Sequence, residues 1–275
     1  MKHRLHFVAL LFLGACDPKG APVVVKAPTS VVSVIPNPTI DPAAQKIVPE
    51  LGGAYKALKT GRFDEVRRMV EQYVSASGAS AHRGQAEFVV GLTYHRQNFF
   101  DSASEHFLAA LKFEPGFLET YYYAGHSLFN VGRLEEARAA YAVYAKYKPD
   151  DHATAFGQGL VEIEADRIDD AERFVTRAIE LAAKQRAAAQ DTRSIDGDLG
   201  RYNARLGDLF ARRDDWKRAQ DLFEKAAGLR PDSPEIWSKL ASACQRLGDS
   251  ARAATARAKA DEAAGKRLRS DGNSR

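Results

Sequence analysis

A period of 34 residues constrains this chain more than any other feature of its sequence. Small residues, glycines and prolines recur at this interval: Ala103, Ala137 and Ala171; Ala219 and Ala253; Gly91, Gly125 and Gly159; Pro115 and Pro149. A unit of this length is too small to bury its own apolar face, so consecutive units must stack to form a continuous core. The period therefore predicts a stacked repeat protein, a class that usually offers binding surfaces.

Each repeat is predicted to contain two helices joined by a short turn. Glycine stands in three of these turns, at Gly61, Gly132 and Gly248, where a left-handed backbone can end a helix. Apolar residues follow the turns and are expected to wedge between the two helices: Phe63, Phe100, Leu134, Ile168 and Trp216. In the last repeat, Ser233 before Pro234 predicts a capped helix start.

This pattern resembles the tetratricopeptide repeat, whose consensus combines an aromatic, Leu-Gly and Tyr with a later Ala, Phe and Pro. The resemblance covers about four fifths of the chain, in repeats near 47–80, 84–117, 118–151, 152–185, 200–233 and 234–267. It implies an all-α fold, a right-handed superhelical solenoid of about six antiparallel helix pairs. It also implies a concave groove, lined by the first helix of each repeat, that takes a peptide or a helix.

The period is interrupted by an insertion at residues 186–199. Its alanines are expected to prolong the preceding helix because alanine has the highest helix propensity. Residues 191–198 are expected to form a loop. The polar tail, residues 268–275, is expected to be loose together with the few residues after Lys266.

The first residues have the pattern of a secretory signal, with a basic head, an apolar run too short to span a bilayer, and small residues. Leu13-Gly14-Ala15-Cys16 resembles the lipobox of bacterial lipoproteins. The resemblance implies a signal peptide at 1–15, lipidation of Cys16, and a Pro- and Val-rich tether over 16–46. The alternative is an ordinary signal with a chance cysteine.

A lipoprotein of this kind lies in the bacterial cell envelope, anchored by its lipid on the periplasmic side. Asp17 after the cysteine resembles the inner-membrane retention signal of enteric bacteria. Because this rule varies among bacteria, the sequence leaves inner and outer membrane open.

The groove is expected to bind a protein or peptide partner. The spacing of the first helices predicts that eleven residues face it: Phe88, Leu92, His95, Tyr122, His126, Phe129, Phe156, Leu160, Arg201, Arg205 and Arg212. The first half of this set is apolar and aromatic and the second half is basic, and aromatics and arginine are the usual anchors of interfaces. The alternative for each residue is packing between repeats.

The chain lacks the known signatures of catalytic and metal sites. It has no Gly-rich phosphate loop, no paired-Cys motif and no His-Glu-x-x-His. His95 and His126 are expected to approach each other, but zinc would need a third ligand that is not evident. We therefore expect no cofactor, no metal and no catalysis; a metal-binding or enzymatic protein on a repeat scaffold is the alternative.

Two further expectations follow from composition. The formal charge is only +4, and two of the positive charges, Lys2 and Arg4, belong to the leader. So small a charge gives no reason to expect a nucleic-acid partner. Cys244 stands at an apolar position of the last repeat and is expected to be a small buried residue.

Together these features indicate a non-catalytic, lipid-anchored scaffold that recruits or stabilises an envelope partner. Tetratricopeptide lipoproteins of similar length include the pilotins of type IV pilus secretins, the preferred resemblance here. Others serve the barrel-assembly machine or scaffold cell-wall hydrolases. Co-chaperones of this repeat family clamp a terminal carboxylate with Lys and Asn, but the corresponding positions here hold Leu51, Tyr55, Phe88 and Leu92.

Overall fold

Twelve α-helices follow one another in the part of the chain that the computed structural model describes, residues 35–41, 45–76 and 82–272. All of these residues belong to the larger of the chain's two units, Val32–Arg275. A 3₁₀ turn, Pro49–Leu51, precedes the helices: α1 Gly52–Lys59, α2 Phe63–Ala76, α3 Arg83–Arg96, α4 Phe100–Phe113, α5 Glu119–Asn130, α6 Leu134–Tyr147, α7 His152–Glu164, α8 Ile168–Ala188, α9 Arg193–Arg212, α10 Trp216–Leu229, α11 Pro234–Arg246 and α12 Ser250–Gly272.

The helices pack as six successive pairs, α1 with α2 through α11 with α12, and each pair stacks on the next. The odd-numbered helices from α1 to α7 also contact one another in order, so they form one continuous layer. The prediction of an all-α solenoid built from six helix pairs is confirmed. We call the side of the solenoid that is formed by the first helices of the repeats the inner layer.

Close approach within a pair depends on a glycine in the first helix. A Cβ atom on Gly91 would lie 2.6 Å from Cε1 of Phe107, and one on Gly207 would lie 2.6 Å from Cε1 of Phe223. Both aromatic rings are buried and stand sixteen positions after their glycine. The ring of the second helix therefore fills the space that the missing side chain leaves.

The turns within the pairs have the predicted left-handed backbone. Gly61, Gly132 and Gly248 have φ angles of +73°, +78° and +77°. Asn98, Asp166 and Asp214 occupy the same position in the other repeats with φ of +61°, +56° and +59°; Asn and Asp are the side chains that best tolerate this conformation. The second helices begin at the predicted wedge residues Phe63, Phe100, Leu134, Ile168 and Trp216.

Most of the insertion is helical. As predicted, its alanines prolong α8, which ends at Ala188. The prediction of a loop over 191–198 was wrong for most of its length, because α9 begins at Arg193 and only residues 189–192 connect the two helices. Ile195 and Leu199, one helical turn apart, are buried in the core, and Arg186 of α8 forms an ion pair with Asp196 of α9. The fourteen extra residues therefore lengthen both helices.

Two smaller predictions near the carboxyl end were also wrong. The residues after Lys266 are not loose, because α12 continues to Gly272 and Lys266 lies 2.6 Å from Glu262 one turn earlier. Ser233 does occupy the cap position of α11, followed by Pro234, but its side chain makes no capping hydrogen bond. Residues 273–275 of the predicted tail lie outside the described residues.

The chain before α1 lies against the solenoid. We call residues 35–41 and 45–48 the docked segment. Ile35 and Ile40 are buried in the core of the first repeats, and the Tyr147 hydroxyl donates a hydrogen bond of 2.9 Å to the Pro38 carbonyl. The predicted tether over 16–46 therefore extends too far, since these apolar residues pack on repeats that follow them.

The predicted signal peptide and Cys16 lie outside the described residues. Within the described ranges, none of the helices combines the length and apolar character that crossing a bilayer requires.

Cys244 is buried in α11, as expected. Its sulfur accepts a hydrogen bond of 3.3 Å from Nε2 of Gln220, itself a buried side chain of α10. The cysteine thus links the last two repeats as part of their core.

Candidate binding surface

The inner layer presents most of the residues that the sequence assigned to the groove, but two of them are core residues. Phe88 and Leu92 on α3 are 3% and 5% exposed. The ring of Phe88 packs within 5.0 Å of the ring of Phe117, measured between centroids, and within 5.8 Å of Tyr123. The prediction that Phe88 and Leu92 line an open groove was wrong, because both side chains are buried in the core. Phe117, from the connection into α5, packs on Phe88.

His95 and His126 meet on the inner layer, as the repeat spacing predicted. Nε2 of His95 lies 3.0 Å from Nδ1 of His126, and the amide of Asn130 donates to the His126 carbonyl at 2.8 Å. The edges of Phe100 and Tyr123 flank the His95 ring. Among the described ranges, the structure contains no group of three His, Cys, Asp or Glu side chains arranged for a metal ion.

The surroundings of both imidazoles favour the neutral form. Burial lowers the pKa of His95 to about 4, with smaller contributions from His126 and the charge of Arg96. Burial also lowers the pKa of His126, assisted by the positive charge of Arg201. Arg201 lies on α9 in the fifth repeat and His126 on α5 in the third. The charge of this arginine therefore acts on the imidazole across the inner surface.

The remaining aromatic and apolar candidates are half-buried. Tyr122, Phe129, Phe156 and Leu160 each keep part of their side chain at the surface. Phe156 stacks on the buried ring of Tyr202, with 4.2 Å between centroids. Burial, with a smaller contribution from Asp151, raises the pKa of Tyr122 to about 12, so its hydroxyl remains a hydrogen-bond donor. Such side chains combine a fixed position with an accessible apolar face.

The second half of the surface is less basic than its arginines suggest. Arg201, Arg205 and Arg212 are exposed, as predicted, and each has an acidic neighbour: Asp198, Asp208 at 3.7 Å and Asp166 at 3.8 Å, respectively. Exposed pairs of this kind add little to stability. The arginines therefore remain available to a partner, in a surface of mixed charge.

A cavity of about 280 Å³ lies between α7, α9 and α11. Predicted groove residues line it on two sides, Phe156 and Leu160 on α7 and Arg201 and Arg205 on α9. Arg230 from the α10–α11 connection lines it as well and was missed by the sequence reasoning. The sequence offers one signal for the position of Arg230, a glycine at position 200 of α9. Because Gly200 has no side chain, the stem of Arg230 can lie against α9.

A profile of the tetratricopeptide repeat matches residues 91–152, 122–190 and 204–266. The chain belongs to the tetratricopeptide repeat family. These matches cover more than half of the chain and coincide with the helix pairs from α3 to α12. The search of curated proteins found no match to this chain.

Solved tetratricopeptide repeat structures share the fold at low sequence identity. MamA from Desulfovibrio magneticus RS-1 is 17% identical with a TM-score of 0.55, over 67% of this chain and 97% of that one. A tetratricopeptide repeat protein from Parabacteroides merdae is 14% identical with a TM-score of 0.58, over 75% of each chain. The APC/C hetero-tetramer Cut9-Hcn1 gives 16% identity and a TM-score of 0.60, over 84% of this chain and 43% of that one.

The histidine pair of this tetratricopeptide repeat protein predicts a pH-dependent stability. The pKa of His95 is about 4 in the fold against 6.5 for the free side chain, so the unfolded chain binds more protons between these values. We expect the free energy of unfolding to fall as the pH is lowered through this window. Urea unfolding of the wild type and of His95→Gln, between about pH 7 and about pH 4, measures this effect.

His95→Gln is expected to flatten the pH dependence because glutamine keeps a donor and an acceptor but does not titrate here. The matched control is His82→Asn, since His82 is exposed and asparagine tolerates its left-handed backbone. Equal slopes for His95→Gln and the wild type would contradict the assignment.

Proposed function

We propose that this protein is a non-catalytic scaffold that holds a peptide or helix of a partner protein on its inner layer. The observation that carries the proposal is the inner layer, in which α1, α3, α5 and α7 contact one another in order and half-buried aromatics are followed by exposed arginines on α9. Aromatic and arginine side chains in fixed positions are the usual energetic anchors of an interface. One structural neighbour, Cut9-Hcn1, is itself part of a hetero-tetramer, which supports a role in assembly.

The proposed place of action is the bacterial cell envelope. The basic head, the short apolar run and the Leu13-Gly14-Ala15-Cys16 sequence support a lipid anchor at Cys16, with the solenoid on the periplasmic side. Several acyl chains on one residue give a stable anchor where one chain is marginal. The proposed role is to recruit or stabilise an envelope partner, with secretin or pilus assembly preferred to barrel assembly or cell-wall hydrolase control.

Site-specific photo-crosslinking tests the scaffold function. A benzophenone amino acid at Phe129 or Leu160, in the native host, is expected to yield the same discrete adduct from both positions. The matched control positions are Lys146 on α6 and Lys225 on α10, which are exposed on second helices. Adducts that form from Lys146 and Lys225 but not from the inner layer would contradict the proposal.

The anchor is tested by fractionating the same cells. Cys16→Ser is expected to shift the protein from the membrane fraction to the soluble fraction, or to block its maturation. A variant that matures and fractionates like the wild type would show that Cys16 carries no lipid.

A further inference from the structure

We propose that the cavity between α7, α9 and α11 binds an acidic residue of a partner peptide together with an adjacent apolar side chain. The proposal rests on the scaffold function proposed above and assigns a ligand chemistry to one part of the inner layer. It follows from three features of the cavity: its charge, the position of Arg230 and its apolar wall.

The cavity wall carries more positive than negative charge. Four cations line it, Arg201, Arg205, Arg230 and Lys239, against the two carboxylates of Asp208 and Glu235. Most of the negative charge is already engaged, because Nζ of Lys239 lies 2.7 Å from Asp208 and 3.4 Å from Glu235. Arg205 is only loosely paired, and no carboxylate in the described part of the chain lies within ion-pair distance of Arg230. Guanidinium donors therefore remain for an incoming carboxylate, which they can bind in bidentate fashion.

Arg230 is held in place by its contact with α9. A Cβ atom on Gly200 would lie 2.5 Å from Cγ and 2.8 Å from Cδ of Arg230, so the arginine stem runs directly over the glycine. The backbone N–H of Arg230 donates a 2.9 Å hydrogen bond to the Ala226 carbonyl at the end of α10. A cation positioned before binding loses less side-chain entropy when a carboxylate arrives.

Part of the cavity lining is apolar. Phe156 and Leu160 on α7 and the buried Ile236 on α11 form it, and the stacking of Phe156 on Tyr202 fixes its orientation. A volume of about 280 Å³ lies just below the range of pockets for drug-sized ligands. The cavity therefore suits one or two peptide side chains, one of them charged and one apolar. It is also distinct from the carboxylate clamp of co-chaperones, whose positions here are apolar.

Selection from a random-peptide phage library on the full-length protein in detergent tests this assignment. We expect the selected peptides to be enriched in Asp or Glu next to Leu, Ile or Phe. The affinity for a fluorescently labelled selected peptide should fall about tenfold or more in Arg230→Glu. The complex of this variant loses a charge-assisted hydrogen bond and gains a repulsion between two carboxylates. Replacing the peptide's acidic residue by its amide should cause a loss of similar size.

The matched control is Lys225→Glu, which makes the same charge change at an exposed position of α10 outside the cavity. A second variant, Arg230→Gln, removes the charge without reversing it and should give an intermediate loss while the helical circular dichroism is unchanged. Equal affinities for Arg230→Glu and Lys225→Glu, or selected peptides without acidic residues, would overturn the cavity proposal. If the cavity proposal fails in this way but Phe129→Glu still lowers the affinity of the selected peptides, the scaffold function stands. If neither Arg230→Glu nor Phe129→Glu lowers that affinity, the scaffold function is contradicted as well.

Discussion

Phe107→Ala is expected to lower the free energy of unfolding by about 3–5 kcal/mol, the range for removing a fully buried aromatic ring. Phe107 on α4 is 0% exposed, its ring lies 5.9 Å from those of Phe88 and Tyr123, and it fills the space beside Gly91. The truncation would leave a cavity at the centre of the first core cluster, bordered by the helices α3, α4 and α5. Urea unfolding followed by circular dichroism measures the loss.

The control for this change is Phe99→Ala, which removes a phenylalanine ring at the residue immediately before α4, where it is 58% exposed. We expect a change below about 1 kcal/mol there, since little apolar surface is buried. Because each repeat contacts only its neighbours, hydrogen exchange in Phe107→Ala should accelerate mainly in α3 to α5. Equal losses in the two variants would show that the ring of Phe107 does not support the core as described.

Gly207→Leu is expected to destabilise the protein by about 1–3 kcal/mol, the usual result of adding atoms to a filled core. Gly207 on α9 faces Phe223, and even a Cβ would lie 2.6 Å from that ring. The two helices can accept a larger side chain only by moving apart, which would also disturb the wall of the cavity. Chemical denaturation of the purified variant gives the free energy difference.

The comparison is Gly228→Leu in the same repeat, because a Cβ on Gly228 meets nothing within 4 Å. Leucine has a higher helix propensity than glycine, so we expect stability to be unchanged or to rise by up to about 1 kcal/mol. The two substitutions are chemically identical, yet only Gly207→Leu should lower the free energy of unfolding. A loss in both would indicate that leucine is disfavoured for a reason other than the contact with Phe223.

The elements that could be predicted from the sequence depend on contacts between residues close in the chain. Gly91 recurs at the 34-residue period and contacts Phe107 within its own helix pair, so the recurrence of such glycines predicts the pair. The turn at Gly132 needs a left-handed residue whatever surrounds it, and it was predicted for the same reason. The approach of His95 to His126 was predictable because both lie on the inner face of the first helices of adjacent repeats.

The errors concern contacts whose partner is not visible from the repeat itself. Phe88 was assigned to the groove because helical spacing identifies a face but not what covers that face. The ring of Phe117, from the connection into the next repeat, packs on Phe88. The insertion was expected to contain a loop because most of its residues are polar. Ile195 and Leu199 are nevertheless buried in the core, and α9 begins before them, at Arg193.

By itself, the sequence determined the helix pairs, their turns and the order in which they stack, because these depend on a local period of 34 residues. Only the tertiary structure decided which side chains line the inner surface and where they meet. Tyr147 binds Pro38 across 109 positions, and Lys239 binds Asp208 across 31. Such contacts arise from the packing of one helix pair against another, and no local pattern of residues records which side chains that packing brings together.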